Sequence, residues 1–397
     1  MTDDVFTTAR RDFPALEHST YLDVSARGIL SRTVRQALDW QLDDAMQTGG
    51  HKQLWMEHLE KTRAQFARLI HAEPDEVTFA KNVSEGLNMI ATGLDWRAGD
   101  NVVVAAEAEH PNNIYCWLNL ERRGVTLKTV PTRGGVIDTD TVIDAIDTRT
   151  RLVSVASQTF SPGLRTDMDA IGAACRARDV FFLVDGAQSV GILDTDVGRS
   201  NIDGLAVSTS KGLLGVYGMG FLYCRRAWAE RIEPAYLARF GVDLDDAHEA
   251  EMGGFAYELA AGARRFDLGN YNFTGVYAAH ASLERLLAIG TPAIERHVTA
   301  LARRLADGMQ QLGLPTFGRE GGGRDHGTLG SIVCVGTLGG GHDSTEDQTM
   351  AELYRHLTAH DVKLSIRRGV LRFSFHLYNA AEDVERVLGL VAEKLGR

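Results

Sequence analysis

A lysine that lies shortly after an apolar run constrains this chain more than any other feature of its sequence. The run 205–207 is followed by three hydroxyl-bearing residues, 208–210, and then by Lys211. Upstream, a second apolar run, 180–184, ends in Asp185. Such runs are typical of buried parallel strands, and open α/β sheets bind their ligands at the carboxyl ends of the strands. The sequence therefore predicts an amine and a carboxylate at neighbouring strand ends.

This pair of groups suits pyridoxal phosphate. A lysine holds its aldehyde as a Schiff base, and a nearby carboxylate keeps its ring nitrogen protonated so that the ring withdraws electrons. Taken singly, Asp185 is equally well explained as a turn residue and Lys211 as a surface lysine. The combination favours a cofactor site, with Lys211 as the Schiff-base lysine and Asp185 as its partner.

The segment from Lys211 to Tyr223 resembles the stretch after the Schiff-base lysine in the class V aminotransferase family of fold-type I pyridoxal phosphate enzymes. The family includes cysteine desulfurases, kynureninase-like enzymes and isopenicillin N epimerase-like proteins. The similarity extends from about Tyr21 to Asn379. It implies a fold-type I α/β protein: a large domain with a mainly parallel seven-stranded sheet between helices, and a smaller α/β carboxyl-terminal domain.

The resemblance also implies three segments along the chain. Residues 1–30 are expected to pack near the active site and the small domain, 31–290 to form the large cofactor-binding domain, and 291–397 to form the small domain. The small domain contains glycine-rich loops at 321–323 and 339–341. These loops lack the Gly-Lys-Ser/Thr sequence of nucleotide-binding loops.

Composition excludes several classes of function. The 397 residues, 44% hydrophobic and 24% charged, are typical of an ordinary globular protein with room for two domains. A net charge of -11 argues against a nucleic-acid surface, and no apolar run approaches the length of a membrane span. Neither the histidines nor the four cysteines have metal-site spacing, so no metal is expected. Without a basic segment and apolar core at its start, the chain is expected to be cytoplasmic.

The predicted phosphate site lies where the apolar segment 77–80 leads into a helix. Unpaired amides and the helix dipole at such a start favour an anion, although an ordinary helix cap explains the local pattern equally well. The family resemblance favours the phosphate site over the ordinary cap, because Val83 and Ser84 take the positions of the family's phosphate contacts. Ser208 and Ser210, near the lysine, are also expected to bond phosphate oxygens.

Three more cofactor residues follow from the resemblance. His110 matches the family histidine that stacks on the cofactor ring, where an imidazole also relays protons; a lone loop histidine is otherwise mostly solvated. Phe160 replaces the family asparagine near the phenolic oxygen of the cofactor, so we assign that contact to Gln188. Asn270 stands where a family threonine reaches the phosphate of the neighbouring subunit, although an Asn-rich turn explains it equally well.

Arg372 matches the family arginine that binds the substrate α-carboxylate in a bidentate pair. Exposed strand arginines are common, but residues 376–379 resemble the family's His-x-Tyr-Asn ending and favour the functional interpretation. Cysteine desulfurases carry a nucleophilic cysteine in the loop before this arginine. Residues 362–369 contain none.

These features predict a pyridoxal phosphate enzyme acting on a free amino acid, with Lys211, Asp185 and His110 as its catalytic residues. Lys211 is expected to be the general base that generates a carbanion at Cα. Transamination and β-elimination of the C–S lyase type both remain open. Epimerisation of the isopenicillin N epimerase type and a non-catalytic sensor or scaffold are the alternatives. The family resemblance implies a homodimer with active sites at the interface.

Overall fold

The computed structural model describes residues 5–243, 256–318 and 328–397. The glycine-rich loop 321–323 lies outside these ranges. Within them, no helix combines the length and apolar character needed to cross a membrane.

Helices and strands alternate through most of the chain. The α-helices are α1 Val5–Arg10, α2 Arg32–Thr48, α3 Lys52–Leu69, α4 Val83–Gly93, α5 Asn112–Leu118, α6 Thr139–Asp144, α7 Met168–Arg176, α8 Arg226–Ala229, α9 Phe273–Ile289, α10 Thr291–Gln311, α11 Gln348–Ala359 and α12 Ala381–Leu395. The strands are β1 Thr20–Tyr21, β2 Val77–Ala80, β3 Asn101–Val104, β4 Thr126–Thr129, β5 Thr150–Ala156, β6 Leu164–Arg165, β7 Phe181–Asp185, β8 Gly204–Ser208, β9 Gly220–Cys224, β10 Thr328–Leu329, β11 Ile332–Val335, β12 Val362–Lys363, β13 Ser365–Arg367 and β14 Val370–Ser374. Short 3-10 helices cover Pro14–Glu17, Pro74–Glu76, Glu121–Arg123, Arg239–Gly241 and Gly262–Phe266.

A seven-stranded sheet forms the centre of the protein, in the order β2-β9-β8-β7-β5-β3-β4. All neighbours are parallel except β9, which runs antiparallel to both β2 and β8. Side chains alternate between two cores along β7: Phe182 and Val184 join one, Phe181 and Leu183 the other. Both faces of the sheet are therefore covered, which explains the continuous apolar run. The prediction of a mainly parallel seven-stranded sheet between helices is confirmed.

The register of the central strands places the carboxyl ends of three of them side by side. Asp185, the last residue of β7, lies between Ala156 of β5 and Ala206 of β8. Lys211 follows the end of β8 by three residues. The predicted carboxylate and amine therefore come from adjacent strands at one edge of the sheet.

A smaller antiparallel sheet, β11-β14-β13, lies in the carboxyl-terminal part of the chain. Arg372 is in its middle strand, opposite Cys334 and Ser365. The amino-terminal strand β1 pairs in parallel with β12, and Asp23 bridges to Ser374. The chain passes from α9 to α10 at Gly290, where φ is 87°. The division into 1–30, 31–290 and 291–397 stays a prediction.

Candidate active site

A cavity of about 270 Å³ lies at the carboxyl ends of β5, β7 and β8. This volume is near the lower end of the roughly 300–1,000 Å³ that small-molecule sites occupy. The residues predicted to hold the cofactor that line it are Val83, Ser84, His110, Asp185, Gln188, Ser208, Ser210 and Lys211. Their contributing segments are far apart in sequence, so the fold brings the predicted set together.

Asp185 and Lys211 both line this cavity and interact electrostatically. Asp185 is buried, and burial raises the pKa of its carboxyl, against the opposing effects of the Ala187 amide and Lys211. Asp185 Oδ1 accepts a hydrogen bond from the Ala187 amide at 2.9 Å. Burial lowers the pKa of the Lys211 ammonium, while Asp185 acts to raise it. A lowered lysine pKa makes the neutral amine, which is the nucleophilic form, easier to reach.

Hydroxyls and a helix start form the end of the cavity predicted to bind phosphate. Helix α4 begins at Val83, and the first amides of a helix have no intrahelical partner. Ser208 Oγ and Ser210 Oγ are 3.0 Å apart and bond to each other. One of the two hydroxyls keeps its hydrogen free to donate to an anion, and the α4 dipole favours an anion there. This end therefore suits a phosphate group.

Gln188, at the same cavity, has a side-chain amide whose hydrogen-bonding groups are only partly used. Its Nε2 donates to the Ser25 carbonyl at 3.3 Å. Its Oε1 is buried and has no hydrogen-bond partner within the described ranges. Buried amide groups normally find partners, so the unpartnered oxygen and the second amide hydrogen mark a place for a polar ligand atom. Together with the amine, the carboxylate and the hydroxyls, this observation shows that the cavity fits pyridoxal phosphate.

His110 lies against Phe160 on another wall of the cavity. The two ring centroids are 5.5 Å apart in an edge-to-face arrangement. Asn112 donates its amide to His110 Nδ1 at 3.2 Å, so the proton of the neutral ring is on Nε2. Burial lowers the pKa of His110 to about 4, with Lys211 as the next contributor. The imidazole is therefore neutral at physiological pH.

The loop that carries the lysine is held from both ends of the chain. The Gly28 amide donates to the Ser210 carbonyl at 2.8 Å. His376 Nε2 donates to the Gly212 carbonyl at 2.8 Å, and burial lowers the pKa of that histidine to about 4. A neutral His376 keeps its Nε2 proton in this bond. These two contacts flank Lys211 and restrict the direction of its side chain.

Arg372 is buried beside the cavity but is not among the residues that line it. Its Nη1 donates to the Phe160 carbonyl at 3.1 Å and its Nε to Ser365 Oγ at 3.1 Å. Its Nη2 lies 3.6 Å from Asp23 Oδ1. A substrate carboxylate would therefore share this guanidinium with Asp23. The role of Arg372 in substrate binding stays a prediction.

Asn270 is exposed and does not line the cavity. Its φ of 44° is in the left-handed region, which asparagine tolerates better than most residues. Its predicted contact is with the cofactor of a neighbouring subunit and stays a prediction.

Sequence reasoning missed several residues of the lining, namely Asn82, Asn112, Gln158, Ala187 and Tyr217. Asn82 precedes the predicted phosphate residues and its Oδ1 caps α4 by accepting from the Glu85 amide. That position was a detectable signal, because asparagine is a preferred helix cap. Tyr217 is 66% exposed and belongs to the glycine-rich turn after Lys211. No sequence pattern distinguishes it from an ordinary loop tyrosine.

Glu109 forms a buried network under the cavity that sequence reasoning also missed. Its two oxygens accept from Asn113 Nδ2 at 2.9 Å and from the Ala156 amide at 2.8 Å. Asn113 Oδ1 in turn accepts from Ser154 Oγ at 2.6 Å. Burial, with a smaller effect of Asp185, raises the pKa of Glu109 to about 8. The acid form is therefore favoured at neutral pH.

The comparisons with known proteins agree with this geometry. The Aminotransferase class-V family model matches residues 20–387. A probable cysteine desulfurase of Methanothermobacter thermautotrophicus is 30% identical over 99% of this chain and 98% of that protein. The uncharacterized aminotransferase YcbU of Bacillus subtilis is 29% identical over 97% of each chain.

Solved structures show the same fold. The apo structure of a cysteine desulfurase from Thermococcus onnurineus NA1 superposes with a TM-score of 0.84, at 24% identity over 98% of both chains. The cystine C-S lyase C-DES, in complex with cysteine persulfide, superposes with a TM-score of 0.83, at 22% identity over 96% of this chain and 99% of that one.

Fold and cavity together define a fold-type I α/β enzyme. The chain belongs to the class V aminotransferase family, whose members depend on pyridoxal phosphate. The prediction of this family from the residues around Lys211 is confirmed.

Proposed function

We propose that this protein is a pyridoxal phosphate enzyme that removes the α-proton of a free amino acid and then transfers its amino group or expels a β-substituent. The observation that supports it is the cavity itself, where a buried carboxylate and a lysine of lowered pKa meet beside hydroxyls and a helix start. When bound, pyridoxal phosphate stabilises negative charge that develops at Cα.

The residues of the cavity have separate roles in this proposal. Lys211 would hold the cofactor covalently and would move the proton at Cα. Asp185 would keep the ring nitrogen protonated, and its burial would strengthen that charge pair. Ser84, Ser208 and the α4 amides hold the phosphate, while His110, neutral at physiological pH, covers the ring.

A sulfur-transfer reaction through a protein persulfide is disfavoured. The four cysteines are buried, and none lines the cavity. Burial raises the pKa of Cys116, Cys175 and Cys334 to about 12, so their thiols resist ionisation. Several relatives are named cysteine desulfurases, but a persulfide carrier is not part of this proposal.

Borohydride reduction followed by peptide mapping tests the proposal. We expect a single pyridoxyl group, on Lys211, and a change in the visible spectrum when amino acids are added. A label on another lysine would contradict the assignment of Lys211. A screen scored separately for keto acid, racemised product and released β-substituent then separates transamination, epimerisation and elimination. A spectrum that no amino acid changes would favour the sensor or scaffold instead.

A further inference from the structure

Arg368 lies beside the cavity, in the turn that connects β13 and β14. Its guanidinium carbon is 4.9 Å from the centre of the Phe160 ring, and Phe160 lines the cavity. Its Nη1 donates to the main-chain carbonyl of Glu107. The side chain is half-buried. Arg368 itself is not among the lining residues, but it places a positive charge directly behind Phe160 without being fully exposed to water.

No carboxylate of the described ranges lies within ion-pair distance of Arg368. Glu107, whose carbonyl it binds, turns its own carboxylate to Thr132, with oxygen–oxygen and oxygen–nitrogen distances of 2.8 and 3.2 Å. The neighbouring Arg367, by contrast, pairs with Asp343 at 2.5 Å. The Glu107 carboxylate acts on the Arg368 charge only from beyond ion-pair distance. A half-buried cation with no carboxylate in direct contact is unfavourable, because charges are normally buried in pairs. A partner from outside the chain would remove that cost.

The charged groups around His110 are basic, as Arg368 is. The charges that act most strongly on its ring are those of Lys211, His342, Arg368 and Arg367, and all four groups are basic. Arg367 and His342 both lie within ion-pair distance of Asp343, and Lys211 interacts with Asp185. Of the three groups other than Lys211, Arg368 is therefore the one that no carboxylate of the described ranges contacts directly.

The backbone holds Arg368 in a strained position. Its φ is 51°, in the left-handed region that side chains other than glycine and asparagine rarely adopt. Three hydrogen bonds from the neighbouring loop fix the turn: Gly339 N to Arg368 O at 2.8 Å, Arg368 N to His342 O at 3.1 Å and Gly369 N to Ser344 O at 3.1 Å. Strained residues that the surrounding structure holds in place cluster at functional sites.

From this geometry we propose that Arg368 is a specificity-determining residue that binds an anionic side chain of the substrate. The substrate class is then a short amino acid with a second carboxylate at its far end. This inference rests on the proposed function, because it takes the cavity to be the site of an amino-acid reaction.

The positions of the two arginines fit such a substrate. Arg372 donates to the carbonyl of Phe160, and Arg368 lies over the ring of the same residue. The two guanidinium groups therefore lie at opposite ends of one residue, on the scale of a single acidic amino acid. An α-carboxylate at Arg372 directs the side chain toward Arg368, where a planar acid group forms a two-point contact. A neutral side chain would leave Arg368 without a carboxylate in direct contact.

Calorimetric titration of the holoenzyme with succinate and butyrate tests the proposal. Both have a four-carbon chain, but only succinate has a second carboxylate, and neither has an amino group that can react. We expect succinate to bind roughly tenfold or more tightly than butyrate. In Arg368→Asn, which retains a residue tolerant of positive φ, succinate should bind as weakly as butyrate, with butyrate binding unchanged. Arg368→Lys keeps the charge and should keep most of the preference.

Arg367→Gln is the matched control, because it removes an adjacent positive charge that Asp343 already neutralises. It should preserve the ratio of succinate to butyrate affinity. The proposal is wrong if wild type binds both acids equally, if Arg368→Asn keeps the wild-type ratio, or if Arg367→Gln abolishes the ratio equally. The wild-type titration alone decides the question if Arg368→Asn does not fold. Failure of the proposed function would be recognised differently, by the absence of a pyridoxyl label on Lys211. The preference for succinate over butyrate would still be measured in the same titration.

Discussion

Glu109 illustrates how one buried side chain links the chemistry of the site to the stability of the protein. Its carboxyl lies behind the cavity, where two hydrogen-bond donors face it and Asp185 acts as a nearby negative charge. Burial outweighs the donors and raises the pKa from the ordinary value of 4.5 to about 8. Folding therefore takes up a proton at this residue between those two pH values.

The first prediction follows from the sign of this shift. Between pH 4.5 and 8 the folded state binds more protons at Glu109 than the unfolded state, so stability falls as pH rises through this range. Glu109→Gln resembles the protonated acid at every pH, so the variant does not lose stability through this titration. Its free energy of unfolding relative to wild type should rise by up to about 1.4 kcal/mol per pH unit. Denaturant titrations at pH 6 and pH 8 measure this, with exposed Glu121→Gln as the control. An equal difference at both values would contradict the assigned pKa.

The second prediction concerns Arg372. Arg372→Lys keeps a positive charge beside Asp23 but loses the planar pair of donors. Amino-acid binding should weaken by roughly tenfold or more, while cofactor content stays unchanged because Arg372 does not line the cofactor cavity. Spectral titration of wild type and variant makes the comparison. Equal affinities, or a best substrate without a carboxylate, would show that Arg372 does not bind the α-carboxylate.

Helix α4 is the element on which the predicted phosphate site depends. Asn82 caps its start, and Glu85 Oε2 accepts from the Lys81 amide at 2.6 Å. Farther along, Gly86 allows the helix to lie close to β8, because an added Cβ would come within 3.0 Å of Ala206 Cβ. The close packing brings Ser84 of the helix and Ser208 of the strand to one cavity. Loss of the cap would loosen one half of the phosphate site.

The third prediction compares two helix caps. Asn82→Ala should cost about 1 kcal/mol of stability and also weaken cofactor binding. Asp138→Ala removes the cap of α6, where Asp138 Oδ1 accepts from the Thr141 amide at 2.7 Å, and Asp138 is not part of the cavity lining. It should cost a similar amount of stability without changing cofactor affinity. Thermal unfolding and fluorescence titration of the apo forms with cofactor separate the two effects. A loss of cofactor affinity in both variants would contradict a specific role for α4.

The sequence predicted those parts of the site that depend on local patterns. Asp185 directly follows one apolar run and Lys211 lies four residues beyond another, and the predicted parallel strands bring such ends together. Arg368, which sequence reasoning missed, depends instead on a long-range contact. Arg368 contacts Phe160, although the two residues are 208 positions apart in the chain. The turn that carries Arg368 is held in place by hydrogen bonds to another loop. No periodicity or motif in either segment predicts this contact.

At the scale of the whole molecule, the fold encloses all four thiols. Burial raises the pKa of each of Cys116, Cys175, Cys224 and Cys334. The fourth prediction is that native protein reacts with dithiobis(nitrobenzoate) far more slowly than free cysteine, and that four thiols per chain react after denaturation. With cysteine as substrate, sulfide release should not depend on any of the four. A cysteine variant that abolishes sulfide-releasing turnover would contradict this.

The fifth prediction concerns assembly. If Asn270 reaches the phosphate of a partner subunit, the holoenzyme should sediment as a dimer and Asn270→Ala should lower cofactor affinity. Asn201→Ala is a matched control, because Asn201 also has a left-handed backbone, with φ of 50°, and does not line the cavity. A monomer that retains its full cofactor content would contradict the proposed dimer.

The two ends of the described chain are joined in this structure. Arg10 forms a two-point contact with Asp383, with distances of 2.8 and 2.9 Å, and also donates to the Tyr378 carbonyl. Strand β1 pairs with β12, and the Ser25 amide donates to Ser374 Oγ at 2.9 Å. Asp23 thereby comes next to Arg372.

This pairing has a consequence for the order of events during synthesis. The segment that carries β1 leaves the ribosome well before β12 and β14, to which it binds and which are translated more than 300 residues later. Until then the nascent chain has to keep β1 unpaired while the central sheet assembles, since domains form progressively as they emerge. Contacts of such long sequence separation also form late because of the entropy of closing the loop. The arginine that we expect to recognise the substrate is therefore among the last parts of the enzyme to reach its place.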